Sequence, residues 1–184
     1  MVKKEKMIHF EENIREQSLK EVAVKMLTAA RTAPKARGVD NLIIAMADRD
    51  TIIQISDKMK EISVRDQLAF FNRDAENILQ ASAIVLIATK IKANGLNCSL
   101  CGYDNCNEKN KNLNAPCIFN TNDLGIAIGS AAAIAADNRA DNRVMYSVGI
   151  AVKELKLMGK EAAIIFGIPL SASGKSPFFD RKAL

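Results

Sequence analysis

Cys98, Cys101, Cys106 and Cys117 are the only four cysteines in the chain, and they share one polar stretch that opens "CSLCGYDNC". Their spacing is C-x2-C-x4-C-x10-C. Thiols gathered in this way bind metal, carry redox chemistry or form disulfides. The charged start "MVKKEKMIHFEE" lacks the apolar stretch of a signal peptide, which predicts the reducing cytoplasm, where disulfides are rare. With 184 residues, 48% of them hydrophobic, the chain also builds a core without staples. Zinc sites usually show two paired knuckles, and only Cys98 and Cys101 fit that pattern. An iron–sulfur cluster tolerates unequal gaps, because its corners lie several ångströms apart and the loop wraps around them. Gly95 and Gly102 permit tight turns that bring backbone N–H groups to the sulfurs. The spacing therefore predicts one [4Fe–4S] cluster on the four cysteines. A zinc site and plain thiol chemistry are the alternatives. His9, the only histidine, reads as a solvated residue rather than a ligand.

The segments around this stretch must hold it in place. "EENIREQSLKEVAVKMLTAAR" carries Leu19, Val22, Ala23, Met26, Leu27 and Ala30 at helical steps, and Pro34 and Gly38 end it. "LIIAMA" (42–47) and "AIVLIAT" (83–89) are continuous apolar runs that read as buried strands. Two helical segments, "DRDTIIQISDKMKEI" and "VRDQLAFFNRDAENILQAS", lie between them. From 94 to 122 the composition changes to nine asparagines, the four cysteines and scattered apolar residues. A loop of that length inside a compact domain is functional or disordered, and the cysteines favour function. Asp123 then reads as the N-cap of "DLGIAIGSAAAIAADN", a small-residue helix expected to be buried all round, against its own core and a second subunit. "RVMYSVGIAVKELKLMG" passes into a short helix, "EAAIIFGIP" reads as a third strand, and "LSASGKSPFFDRKAL" reads as loop. No linker divides residues 1–184, so the chain is one domain of layered α+β type.

Several function classes are set aside. The net charge is +5, but basic and acidic residues alternate and there is no Trp to stack bases, so no nucleic-acid partner is expected. No run of eighteen apolar residues occurs, so no membrane span is expected. "SASGKS" is not a Walker A loop: Pro169 lies between Gly167 and Gly174, six residues separate them, and Pro177 follows. A lone N-terminal histidine gives no Ser-His-Asp or Cys-His arrangement, and no residue is assigned a catalytic role.

The order Cys98, Cys101, Gly102, Cys106 resembles the start of a [4Fe–4S] domain of anaerobic carbon-monoxide and corrinoid enzymes, with a shorter gap to Cys117. Three further stretches, "AARTAPKARGVDN", "DLGIAIGSAAAIAA" and "EAAIIFGIP", resemble the nitroreductase family in its own order: a helix running into A-P-S, a central small-residue helix, and a last strand ending in G-x-P. Together with the cysteine insertion and "GIPLSASGKSPFFDR", the chain resembles the ferredoxin-domain-containing proteins of nitroreductase-like fold. That resemblance implies a mixed sheet flanked by helices, with 94–122 as an inserted iron–sulfur segment. It also implies FMN as a second cofactor. Arg31, Thr32, Ala33, Lys35 and Arg37 would then lie near its phosphate and ribityl chain, Ser147, Val148 and Gly149 near its ring, and Lys175 or Arg181 over the phosphate. Lys35, Arg37 and Asp40-Asn41 stand where that family carries other residues. The reading expects a homodimeric oxidoreductase that passes electrons between cluster and flavin and meets a further electron donor or acceptor. Its alternative is a non-enzymatic metal-binding redox sensor or a zinc-stabilised interaction domain.

Overall fold

The structure, a computed structural model, describes residues 8–112 and 114–179. The first helix, α1, runs Glu11–Thr32. Its buried stripe is Leu19, Val22, Ala23, Met26 and Ala30, the face set out by their spacing. It ends at Ala33-Pro34, where Lys35 Nζ turns back to donate to the carbonyls of Ala30, at 3.0 Å, and Arg31. A short 3-10 turn at Ala36–Gly38 then feeds β1, Leu42–Ala47. Helices α2 (Arg49–Arg65) and α3 (Ala69–Ile78) follow, then β2 (Ala83–Thr89).

The polar stretch contains a helix of its own, α4 (Cys106–Lys111). The long helix α5 spans Ile118–Asp137, with Cys117 and not Asp123 at its N-cap. A two-residue strand β3 (Asp141–Asn142), helix α6 (Tyr146–Glu154) and strand β4 (Ile164–Ser171) complete the described elements.

The sheet order is β1-β2-β4-β3. Each pairing is antiparallel, where the resemblance implied a mixed sheet. β2 lies in the middle and is buried along its whole length. Side chains alternate across a strand. Ala83, Val85 and Ile87 therefore meet α1 and α5 on one face. Ile84, Leu86 and Ala88 meet α2, α3 and α6 on the other. The result is a layered α+β fold with helices on both faces of one sheet.

Packing refines two local readings. The tail after β4 is irregular, yet Phe178 is 1% exposed and plugs the second core; Arg143 Nη1 donates to its carbonyl at 3.0 Å. Within the single chain helix α5 buries one face: Leu124, Ala127, Ala131 and Ala135 meet the core, while Gly125, Ile126, Gly129 and Ala133 are exposed.

Candidate metal centre

The chain leaves β2 at Thr89, and three asparagines from three segments catch it. Asn120, in the first turn of α5, donates from Nδ2 to the carbonyls of Lys90 at 2.8 Å and Lys92 at 2.6 Å. Asn41, just before β1, donates to Asn94 Oδ1 at 2.8 Å and Asn120 Oδ1 at 3.1 Å. All three side chains are buried. Buried amides of this kind fix a register, because each would cost stability if left unmade.

From this anchor the backbone makes four left-handed steps, at Gly95 (φ 75°), Asn97 (47°), Ser99 (58°) and Gly102 (82°). The two glycines take this region at no steric cost; Asn97 and Ser99 are held there by contacts. The Asn97 N–H donates to Cys106 Sγ at 3.3 Å, and the Cys106 N–H donates to Asn97 Oδ1 at 2.9 Å. Ser99 Oγ donates to the Asp104 carbonyl at 2.9 Å. Asn105 caps α4 by accepting from the Glu108 N–H at 3.0 Å, which sets Cys106 at the helix start.

One pocket collects the result. Cys98, Cys101, Cys106 and Cys117 all line it, with Asn94, Tyr103, Lys109 and Phe119 among its other walls. The cavity is tight and partly open to solvent. The four cysteines are free thiols, Cys117 buried and the other three half-buried. Among the described residues no three His, Cys, Asp or Glu side chains are placed to hold one metal ion. Four soft thiol donors around one cavity are a set of the kind that holds an iron–sulfur cluster.

The donor set fits such a group in two further ways. Asn94 Nδ2 is buried, lines the pocket and has no hydrogen-bond partner. An orphaned N–H beside thiolate sulfur is the kind of donor that stabilises a cluster. Cys117 also opens α5, a 20-residue helix, whose positive dipole end favours negative charge at the pocket.

Nine of the ten residues expected near a flavin are described, and a single chain does not gather these nine into one site. Arg31 donates from Nη1 to Asp40 Oδ2 at 2.6 Å and to the Leu42 carbonyl at 3.3 Å. Burial pushes the Asp40 carboxyl up, but Arg31 and the Leu42 N–H more than offset this and hold it below its ordinary value. The stabilisation from this depressed group is therefore present above the ordinary carboxylate range and is lost as pH falls through the lower, folded value. Thr32 Oγ1 bonds back to the Thr28 carbonyl at 3.0 Å, Ala33 is buried, and Lys35 caps α1. Arg37 (φ 58°) reaches the cysteine stretch instead, donating to the carbonyls of Asn94 at 3.0 Å and Gly95 at 3.4 Å. Ser147, Val148 and Gly149 are buried on the opposite side of the sheet, with Ser147 Oγ donating to Asp74 Oδ2 at 2.8 Å. Lys175 is exposed in the turn after β4, and Arg181 lies outside the described residues. Beside Arg31 a shallow groove is lined by Leu27, Thr28, Thr32 and Ile44.

Four residues of the centre escaped the reading of the motifs: Asn41, Asn94, Asn120 and Lys109. The signal for Asn94 and Asn120 was the asparagine density between 94 and 122, which only the fold resolves into anchors; Asn41 and Lys109 had none. Asp123 is a fifth. Its buried carboxylate accepts the Ala36 N–H at 3.1 and 3.2 Å, and so ties the turn that carries Arg37. Asp123→Ala is expected to cost about 1–3 kcal/mol, since it leaves that N–H unpaired in a half-buried place, with Asp123→Asn recovering most of it. Urea unfolding of the three proteins measures this; equal midpoints would remove Asp123 from the architecture.

With this geometry described, similarity to other proteins can be stated. The pattern of a family described as uncharacterised proteins containing a ferredoxin domain matches residues 114–181. An uncharacterised protein of Archaeoglobus fulgidus is 39% identical over 183 residues, covering 95% of this chain and 98% of its own. Among solved structures, a nitroreductase with bound FMN from Desulfitobacterium hafniense superposes with a TM-score of 0.57 at 14% identity, covering 94% of this chain and 82% of its own. A BluB-like flavoprotein from Clostridium difficile gives 0.56 at 20% identity, covering 98% and 86%. At these identities the solved structures show a shared nitroreductase-like fold.

Proposed function

The chain belongs to the family of ferredoxin-domain proteins with a nitroreductase-like fold, and from that premise we propose that it is an iron–sulfur redox protein whose [4Fe–4S] cluster is held by Cys98, Cys101, Cys106 and Cys117. The observation that carries this is the single pocket lined by all four thiols. A bound cluster supplies one-electron transfer. The chain's own residues supply the rest. The left-handed steps from Gly95 to Gly102 shape the loop. Asn97 N–H and Asn94 Nδ2 offer donors to sulfur. The asparagine anchor fixes the loop to the sheet.

The finer reading is that these electrons pass to or from FMN. It is supported by the groove beside Arg31 and Thr32 and by the FMN that one structural neighbour binds. Within one chain the described candidate residues do not close a flavin pocket, so the site would need a second copy. The exposed face of α5 (Gly125, Ile126, Gly129, Ala133) offers a surface on which two chains can approach closely. Light scattering is then expected to give twice 20.1 kDa at micromolar concentration; a mass of one chain, independent of dilution, would rule out the dimer.

The visible spectrum of protein purified without oxygen tests the functional reading. A broad absorption that dithionite bleaches and air restores is the expected result. A colourless, zinc-loaded protein would instead identify an interaction domain. Titration with FMN then separates the enzyme from the sensor. Binding that weakens roughly ten- to a hundredfold in Arg31→Ala, for loss of one charge-assisted contact, places flavin in the groove. A reversible cluster with no FMN binding leaves a redox sensor.

A further inference from the structure

Lys109 is 1% exposed, the most buried charged residue described in the protein. Its Nζ donates to the Ile91 carbonyl at 2.5 Å, and among the described residues no carboxylate pairs with it. Neighbouring lysines are paired in the ordinary way, Lys111 with Glu108 at 2.7 Å and Lys90 with Glu161 at 2.6 Å, both in the open. An ammonium taken out of water without an anion is unfavourable, and such groups persist where an opposite charge answers them. The wall on which Lys109 stands is that of the four-thiol pocket.

We propose that Lys109 is the internal counter-cation of the cluster and raises its reduction potential. The proposal rests on the cluster reading above. Four thiolates leave an oxidised [4Fe–4S] centre with roughly two net negative charges, and reduction adds one electron without breaking a bond or moving a proton. A fixed positive charge nearby stabilises the reduced form more than the oxidised one, because Coulomb attraction grows with the charge it meets. Burial makes the effect larger than an exposed lysine could produce, since water and salt screen a buried charge much less. The contact to Ile91 aims the ammonium by tying α4 to the segment that leaves β2. A purely structural role would consist of that tie alone.

The test is a dye-mediated potentiometric titration of the cluster, reduced with dithionite under argon, in wild type, Lys109→Met and Lys109→Arg. Iron content is measured on the same samples. Lys109→Met is expected to disfavour reduction at least tenfold, a shift of about 59 mV to more negative potential for one electron, while Lys109→Arg stays near wild type. If Lys109→Met fails to load iron, retention of iron and potential in Lys109→Arg still supports a need for charge. Loss of iron in both variants, or an unchanged potential in fully loaded Lys109→Met, overturns the proposal. Absence of iron from wild type would instead overturn the cluster reading itself.

Discussion

Cys106→Ser is expected to reduce bound iron from about four atoms per chain to well under one, with loss of the visible absorption. The size of the effect follows from where Cys106 stands. It opens α4, its N–H is held by Asn97 Oδ1 at 2.9 Å, and its sulfur receives the Asn97 N–H at 3.3 Å. No histidine or further cysteine lies at the pocket to replace it, because the chain has four cysteines and one histidine, exposed at residue 9. A serine hydroxyl is a poor substitute for a soft thiolate. The fold should survive, since both sheet faces have their own cores away from the pocket. Far-ultraviolet circular dichroism alongside iron and sulfide analysis separates the two effects. Retention of wild-type iron in Cys106→Ser would remove this residue from the ligand set.

The second large effect concerns the fold. Gly149→Ala is expected to destabilise the protein by at least about 3 kcal/mol. A methyl group there would sit 1.7 Å from the Ile165 carbonyl oxygen and 2.5 Å from its carbon, so α6 would have to move off β4. Gly167→Ala meets Val148 Cγ1 at 2.3 Å, which is a side chain and can be trimmed. Val148→Ala should therefore relieve Gly167→Ala in part, whereas no side-chain truncation relieves Gly149→Ala. Urea unfolding of the single and paired variants checks the order; a Gly149→Ala protein as stable as wild type would contradict the close approach of α6 to the sheet. This packing also accounts for the glycine in "SVG" without a ligand.

Particular residues show what was legible in the chain and what was not. β1 and β2 were visible as apolar runs because a strand buried on both faces needs no alternation. The stripe of α1 was visible because Leu19, Val22, Ala23, Met26 and Ala30 repeat at helical steps. The cysteines announced themselves by type and spacing, and one pocket is lined by all four. Asp123 misled because an acid ahead of an apolar run looks like a cap. The helix starts five residues earlier, and the carboxylate serves a turn 87 residues away in sequence. Lys109 and Arg37 were equally hidden: a lysine amid "CNEKNK" reads as solvated, and Arg37 read as a phosphate contact. Their partners, Ile91 and the carbonyls of Asn94 and Gly95, are backbone atoms, which carry no sequence signature. Long-range contacts to backbone are the part of a site that periodicity and motif spacing cannot encode.

Metal and acid-labile sulfide analysis of wild-type protein purified without oxygen decides whether the four-thiol pocket holds an iron–sulfur cluster. About four irons and four sulfides per chain with negligible zinc are expected. One zinc per chain without iron or sulfide would contradict the cluster reading.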